Sequence, residues 1–154
     1  MAVIVDTAKI EGRRRTGYPG ELAKGFEGRV RRALGDLGGI TQFGVNLTTL
    51  EPGAKSAHRH WHRVEDEFIY VVEGELTLVS NAGETLLTPG MGACFPANDG
   101  DGHQLINRSG KPASYLEVGT RGMDEDVEYP DVDLKLERRD GVSRFLHKSG
   151  ERYA

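Results

Sequence analysis

The stretch HRHWHRVEDEFIYVVEG, residues 58–74, sets three of the chain's five histidines at alternate positions, follows them with carboxylates, and ends in an apolar run and a glycine. In an extended strand successive side chains point to opposite faces, so His58, His60 and His62 project one way and Arg59, Trp61 and Arg63 the other. At roughly 3.3 Å of rise per residue the first and third histidines stand about 13 Å apart, too far to share one ion easily. An adjacent pair is the better chelate, and it needs further ligands from another strand. Glu65, Asp66 and Glu67 lie just ahead of the apolar run Phe68 to Val72. Imidazole with carboxylate suits Zn, Fe, Mn or Ni. If one strand ends at His62 and the next begins at Glu67, the four residues between them are an ordinary connection for antiparallel neighbours, which favours His60, His62 and Glu67.

Outward from this stretch, short β-rich runs are separated by turn residues. Strands are expected at about 42–50, 56–62, 67–72, 75–80, 84–88, 91–95, 103–108 and 113–118. Glu73-Gly74, Asn81-Ala82-Gly83, Pro89-Gly90 and Gly110-Lys111-Pro112 punctuate them as turns, and Gly74 and Gly90 read as positions needing positive φ. Leu76 and Leu78 alternate with Thr77 and Val79 as a half-buried strand requires. Windows with an apolar stripe at helical spacing are scarce, so an all-β sandwich or jelly roll is expected. The first 40 residues read as an irregular arm on the barrel, with a short helix near Phe26 to Leu34. Arg13-Arg14-Arg15 within them reads as a solvated face rather than a phosphate site. The acidic segment Met123 to Asp133 and the residues after it read as a tail covering the barrel or a partner subunit.

At 154 residues the chain is long enough to bury one core without staples, and no internal repeat points to a duplicated domain. A net charge of -4 lacks the basic excess of a nucleic-acid surface. The N-terminal MAVIVDTAKIEGRRRTG fits neither a signal peptide nor a membrane span, so no membrane partner and a cytoplasmic location are expected. The single cysteine, Cys94, excludes an internal disulfide.

His60-x-His62, four residues, Glu67, six residues, Gly74 resembles the first motif of the cupin superfamily, whose histidines and glutamate hold a divalent metal. Gly90, five residues, Pro96, then His103, three residues, Asn107 resembles the second. Two departures stand out: Gly53 lies one residue farther from His60 than the motif asks, and Ala97 to Gly102 lengthen the interval from Pro96 to His103. The phrases YPGELAKGFEGR, LGGITQFGVNLTTLEPG, YLEVGTR and EYPDVDL resemble small, RmlC-like single-domain cupins of unassigned function. The resemblance implies an all-β double-stranded β-helix, a jelly-roll barrel. The chain reads as a single domain with an arm at 1–40, the barrel at 41–120 and a tail at 121–154. It also implies a divalent ion (Fe, Mn, Zn or Ni) held by His60, His62, Glu67 and His103.

Outside that ligand register, His58 reads as a supporting or surface residue. Glu65 and Asp66 read as a solvated turn, Asn107 as a hydrogen-bonding strand residue, and Trp61 as packing between sheet and arm. Tyr70 and Cys94 face either the metal cavity or the core, and His147 reads as exposed. Such a ligand set leaves up to two open positions on an octahedral ion, where water, dioxygen or a bidentate oxygen ligand binds. That fits a metalloenzyme acting on a small oxygenated organic molecule, as an oxygenase or as an isomerase or lyase. A non-catalytic module holding a small carboxylate or sugar is the alternative, and a purely stabilising ion a third. A homodimer is expected, because arm and tail look like segments that cover a sheet.

Overall fold

A computed structural model describes all 154 residues. Twelve strands in chain order carry the fold: β1 Arg29–Ala33, β2 Phe43–Leu50, β3 Trp61–His62, β4 Glu67–Glu73, β5 Leu76–Ser80, β6 Gly83–Leu87, β7 Gly92–Phe95, β8 Gln104–Ile106, β9 Ala113–Thr120, β10 Glu125–Tyr129, β11 Leu134–Arg139 and β12 Val142–Leu146. One antiparallel sheet runs β1-β2-β9-β4-β7. Facing it, β12-β11-β10-β3 and β6-β5-β8 are joined by the bridges His60 to His103 and Lys55 to Ile106. No helix is long and apolar enough to cross a membrane.

Period-two alternation sorts the first sheet. Gly44, Asn46, Thr48 and Leu50 of β2, Ile69 and Val71 of β4, and Ala113 and Tyr115 of β9 are buried, while Phe43, Phe68, Tyr70 and Val72 are exposed on the other side. Leu50, Ile69, Val71, Leu76, Leu87, Leu105, Ala113 and Tyr115 form the main core. A smaller cluster of Val127, Tyr129 and Leu134 packs Tyr18, Leu22 and Phe145 at the other end of the second sheet. The polar cavity described below opens into the same interior.

Both glycine expectations hold. Gly74 has φ +74° and Gly90 φ +93°. A Cβ on Gly74 would meet the Pro112 carbonyl oxygen at 2.7 Å, so both conformation and space demand glycine there.

Two expectations need correction. The strand expected at 56–62 is regular only at Trp61–His62. Upstream of it the chain touches its neighbour through the isolated bridges at Lys55 and His60, so strict alternation does not extend back to His58. The expected helix near Phe26 to Leu34 is instead strand β1, whose five residues pair with β2, followed by a single helical turn, α1, at Leu34–Leu37. The tail after Gly119 forms the meander β10-β11-β12, with β10 paired to β3 through Val127 and His62.

Candidate metal centre

Four side chains from separate elements converge in the interior. His60 comes from the bridge beside β3, His62 from β3, Glu67 from the first position of β4, and His103 from the residue preceding β8. The backbone bridge between His60 and His103, with N–H···O distances of 3.1 and 2.9 Å, joins the two sequence motifs directly. Glu67 stands at the centre. Its Oε2 lies 2.9 Å from His103 Nε2 and 3.8 Å from His60 Nε2, and its Oε1 lies 3.3 Å from His62 Nε2. The side chains are only 9–15% exposed.

Each imidazole has its other nitrogen turned to an oxygen. His60 Nδ1 lies 2.7 Å from the His58 carbonyl, His103 Nδ1 lies 3.3 Å from the Asp101 carbonyl, and His62 Nδ1 lies 3.5 Å from Glu125 Oε2. Those Nδ1 contacts orient the rings so that each Nε2 faces Glu67, where an ion would replace the protons now shared with that carboxylate. Phe95 stacks on the His103 ring with centroids 3.6 Å apart. The donor atoms of His60, His62 and Glu67 all lie within 4.8 Å of one another, a spread that one divalent ion would draw together. The chemistry and spacing of this donor set fit such an ion.

Electrostatics differ sharply among these residues. Burial holds the His60 imidazole down at about 4, so it stays neutral, despite the opposing pull of Glu67. Burial opposes charge on His62 too, but the nearby carboxylates of Glu125 and Glu67 outweigh it and push that ring up to about 10. For Glu67, burial would raise the carboxyl, yet His103 and His62 hold it well below the usual carboxylate range. A carboxylate that stays ionised in a buried site is the natural anionic anchor for a cation.

His58 lies outside the cluster. Its Nε2 bonds the Leu22 carbonyl at 2.9 Å, and its ring packs on Tyr18 and Phe26. Asn107 is fully buried and ties the Leu50 and Lys111 carbonyls to Ser109. Asp66 is exposed and accepts from the Ala97 amide. Trp61 lies under the Arg63 guanidinium. Tyr70 and Cys94 face outward, away from the cavity. His147 is paired with Asp133 and stacked on Tyr153.

The expectation for Glu65 as a solvated turn residue is overturned. It is 8% exposed, accepts from the Gly122 amide at 2.9 Å and pairs with Arg138. Its burial comes from the meander folding over it, which no local pattern announces.

Two carboxylates escaped the sequence reading. Glu125 is 1% exposed and accepts the amides of Arg63, Val64, Asp126 and Glu65 at 2.7–3.1 Å. Glu117 points inward from β9 into the cavity and has no ion-pair partner; burial, then the charge of Glu67, raises its carboxyl. The alternation of Tyr115-Leu116-Glu117-Val118 carried the signal for Glu117, since it shares its face with buried Tyr115. The cavity has a volume of about 300 Å³, and Arg29, Arg31, Thr48 and Ser56 line it alongside the imidazoles.

A family model described as a cupin domain matches residues 46–119. No curated protein matches the chain. Among solved structures, one described as a sugar phosphate isomerase of the cupin superfamily from Silicibacter pomeroyi is 45% identical. It superposes with a TM-score of 0.94 over 99% of this chain and 97% of its own. A candidate sugar phosphate isomerase from Acidithiobacillus ferrooxidans is 29% identical, with a TM-score of 0.74 over 82% of this chain and 80% of its own. The polyketide cyclase RemF from Streptomyces resistomycificus, 22% identical with a TM-score of 0.64 over 78% of this chain and 80% of its own, shares the fold.

Proposed function

The chain belongs to the cupin superfamily, and from that premise we propose that it is a metal-dependent isomerase of a small phosphorylated sugar. The carrying observation is the convergence of His60, His62, Glu67 and His103 in a cavity that also holds a half-buried carboxylate without an ion-pair partner, Glu117. The 45% identical neighbour described as a sugar phosphate isomerase supports the choice of reaction among the chemistries open to such a site.

A divalent ion (Fe, Mn, Zn or Ni) held by those four residues would polarise a substrate carbonyl as a Lewis acid. Glu117 is the group placed to move the proton. It takes the proton from the carbon beside the carbonyl and returns it to the former carbonyl carbon, while the hydroxyl proton passes to the carbonyl oxygen, so no atom is gained or lost. A carboxyl raised by burial is a stronger base than a solvated one and suits that step. Tyr115 and Thr48, which line the same wall, exclude water and offer hydroxyls to the sugar. We take the working form to be a cytoplasmic homodimer, its outer sheet face of Phe43, Phe68, Tyr70 and Val72 being apolar and exposed.

The test is interconversion of aldose and ketose phosphates in deuterated water, followed by NMR. Turnover that deposits solvent deuterium on the carbon beside the carbonyl, stops with chelation and is lost in Glu117→Gln is expected. Tight metal-dependent binding of sugars without turnover of any aldose or ketose phosphate would overturn the isomerase and leave a binding module.

A further inference from the structure

The sequence run Arg13-Arg14-Arg15 acquires a different meaning once folded. Arg13 forms an antiparallel bridge with Arg31 of β1, its amide 2.8 Å from the Arg31 carbonyl and its carbonyl 2.9 Å from the Arg31 amide. Side chains at i and i+2 share a face, so Arg13 and Arg15 stand beside Arg29 and Arg31 on one side of this pairing. All four line a single hollow of about 600 Å³, together with Ala33 and Asp36. Arg14, between them, turns away to Glu51 and the Glu27 carbonyl.

The charges in this hollow are not balanced from within. Its one carboxylate, Asp36, is paired with Arg121. Arg14, Arg121 and Arg138 have carboxylate partners, whereas Arg13, Arg15 and Arg31 have neither an ion pair nor a side-chain hydrogen bond. Arg29 uses its terminal nitrogens on the Ser56 and Arg15 carbonyls, and its Nε is buried with no partner. Like charges set directly opposite on neighbouring strands are destabilising. A multiply charged anion among them would remove that cost, and guanidinium forks match phosphate oxygens. Arg29 and Arg31 also line the cavity of His60, His62, Glu67 and Glu117, so the arginine hollow and the metal cavity share a wall.

We propose that Arg13, Arg15, Arg29 and Arg31 form a phosphate subsite that holds the phosphoryl end of a phosphomonoester substrate while its carbonyl end lies at the imidazole cluster. The assignment of the reacting end rests on the proposed isomerase; the anion site does not. The N-terminal arm thereby becomes part of the substrate site.

Inorganic phosphate is the probe, titrated calorimetrically into the full chain at constant ionic strength, with metal content measured in parallel. Wild type binds it saturably. The double variant Arg13→Gln, Arg15→Gln, at exposed positions where folding is little at risk, raises Kd by at least about tenfold, the size of lost hydrogen bonds to a charged group. Arg14→Gln, aimed elsewhere, stays within about twofold. Glu67→Gln loses metal but keeps its phosphate affinity, which separates this subsite from phosphate bound at the ion. Phosphate binding that survives in the double variant, falls equally in Arg14→Gln, disappears with Glu67→Gln, or is absent from wild type overturns the proposal. Saturable, arginine-dependent phosphate binding in a protein with no isomerase activity would leave the subsite standing and remove the proposed reaction alone.

Discussion

Glu125 is the residue on which the geometry of His62 depends. Its carboxylate accepts four backbone amides around the turn after β3 and faces His62 Nδ1 at 3.5 Å. Removing it takes that acceptor away from the Val64, Glu65 and Asp126 amides and frees the imidazole to rotate. Glu125→Ala is therefore expected to lower unfolding free energy by about 3 kcal/mol in urea titration, and to weaken metal binding by about 10- to 100-fold. Wild-type metal affinity in a folded variant would show that His62 is oriented by other means. Protonation adds a second expectation. The folded metal-free pKa of His62 is raised to about 10, so the charged ring contributes stability that is complete below its ordinary value and is lost as pH rises through about 10. A metal ion must displace that proton from Nε2, so affinity rises with pH across this window. Calorimetry at pH 7.5 in buffers of different ionisation enthalpy should find about one proton released per ion bound. Release of none would contradict the charged imidazole.

Among the elements, β2, β4, β5, β6, β7 and β9 stand within about two residues of their expected places, because each carries period-two alternation or a bounding turn glycine. Gly74 is the sharpest of these signals, and Gly74→Ala should cost about 2–3 kcal/mol, since φ +74° and the 2.7 Å approach to the Pro112 carbonyl both oppose a Cβ. A urea midpoint equal to wild type would contradict that account. The elements that the sequence hid are those held by partners far along the chain. Strand β1, RVRRA, is rich in arginine and looks solvated, but it is fixed by pairing with β2 on one side and the Arg13 bridge on the other. The meander β10-β11-β12 alternates charge with apolar residues too weakly to stand out, and it becomes regular by closing over β3. That His60, His62, Glu67 and His103 come together was readable because spacing, hairpin length and the second motif agreed. The buried roles of Glu65 and Glu125 were not, since they arise only when that meander covers the turn.

Taken as one molecule, the barrel buries its polar cavity and leaves an apolar sheet face outside: Phe43, Phe68, Tyr70 and Val72 are 39–48% exposed, with Cys94 on the same side. An apolar face of that kind supports the proposed dimer, in which it would seat a second copy. Light scattering at micromolar concentration should give about twice 16.9 kDa, and Phe68→Glu should return the single-chain mass; a wild-type mass equal to one chain would rule the dimer out.

His60, His62, Glu67 and His103, rather than His58, are the proposed holders of the ion. The direct measurement is a metal titration of His58→Ala, His62→Ala and Glu67→Gln at one pH, with folding verified by circular dichroism. His58, bonded to the Leu22 carbonyl and packed on Tyr18, should keep the ion within a few-fold of wild type when substituted, whereas His62→Ala and Glu67→Gln each lose a donor and should weaken binding by more than about 100-fold. Loss of the ion in His58→Ala with retention in His62→Ala would contradict the assignment and move the centre elsewhere in the barrel.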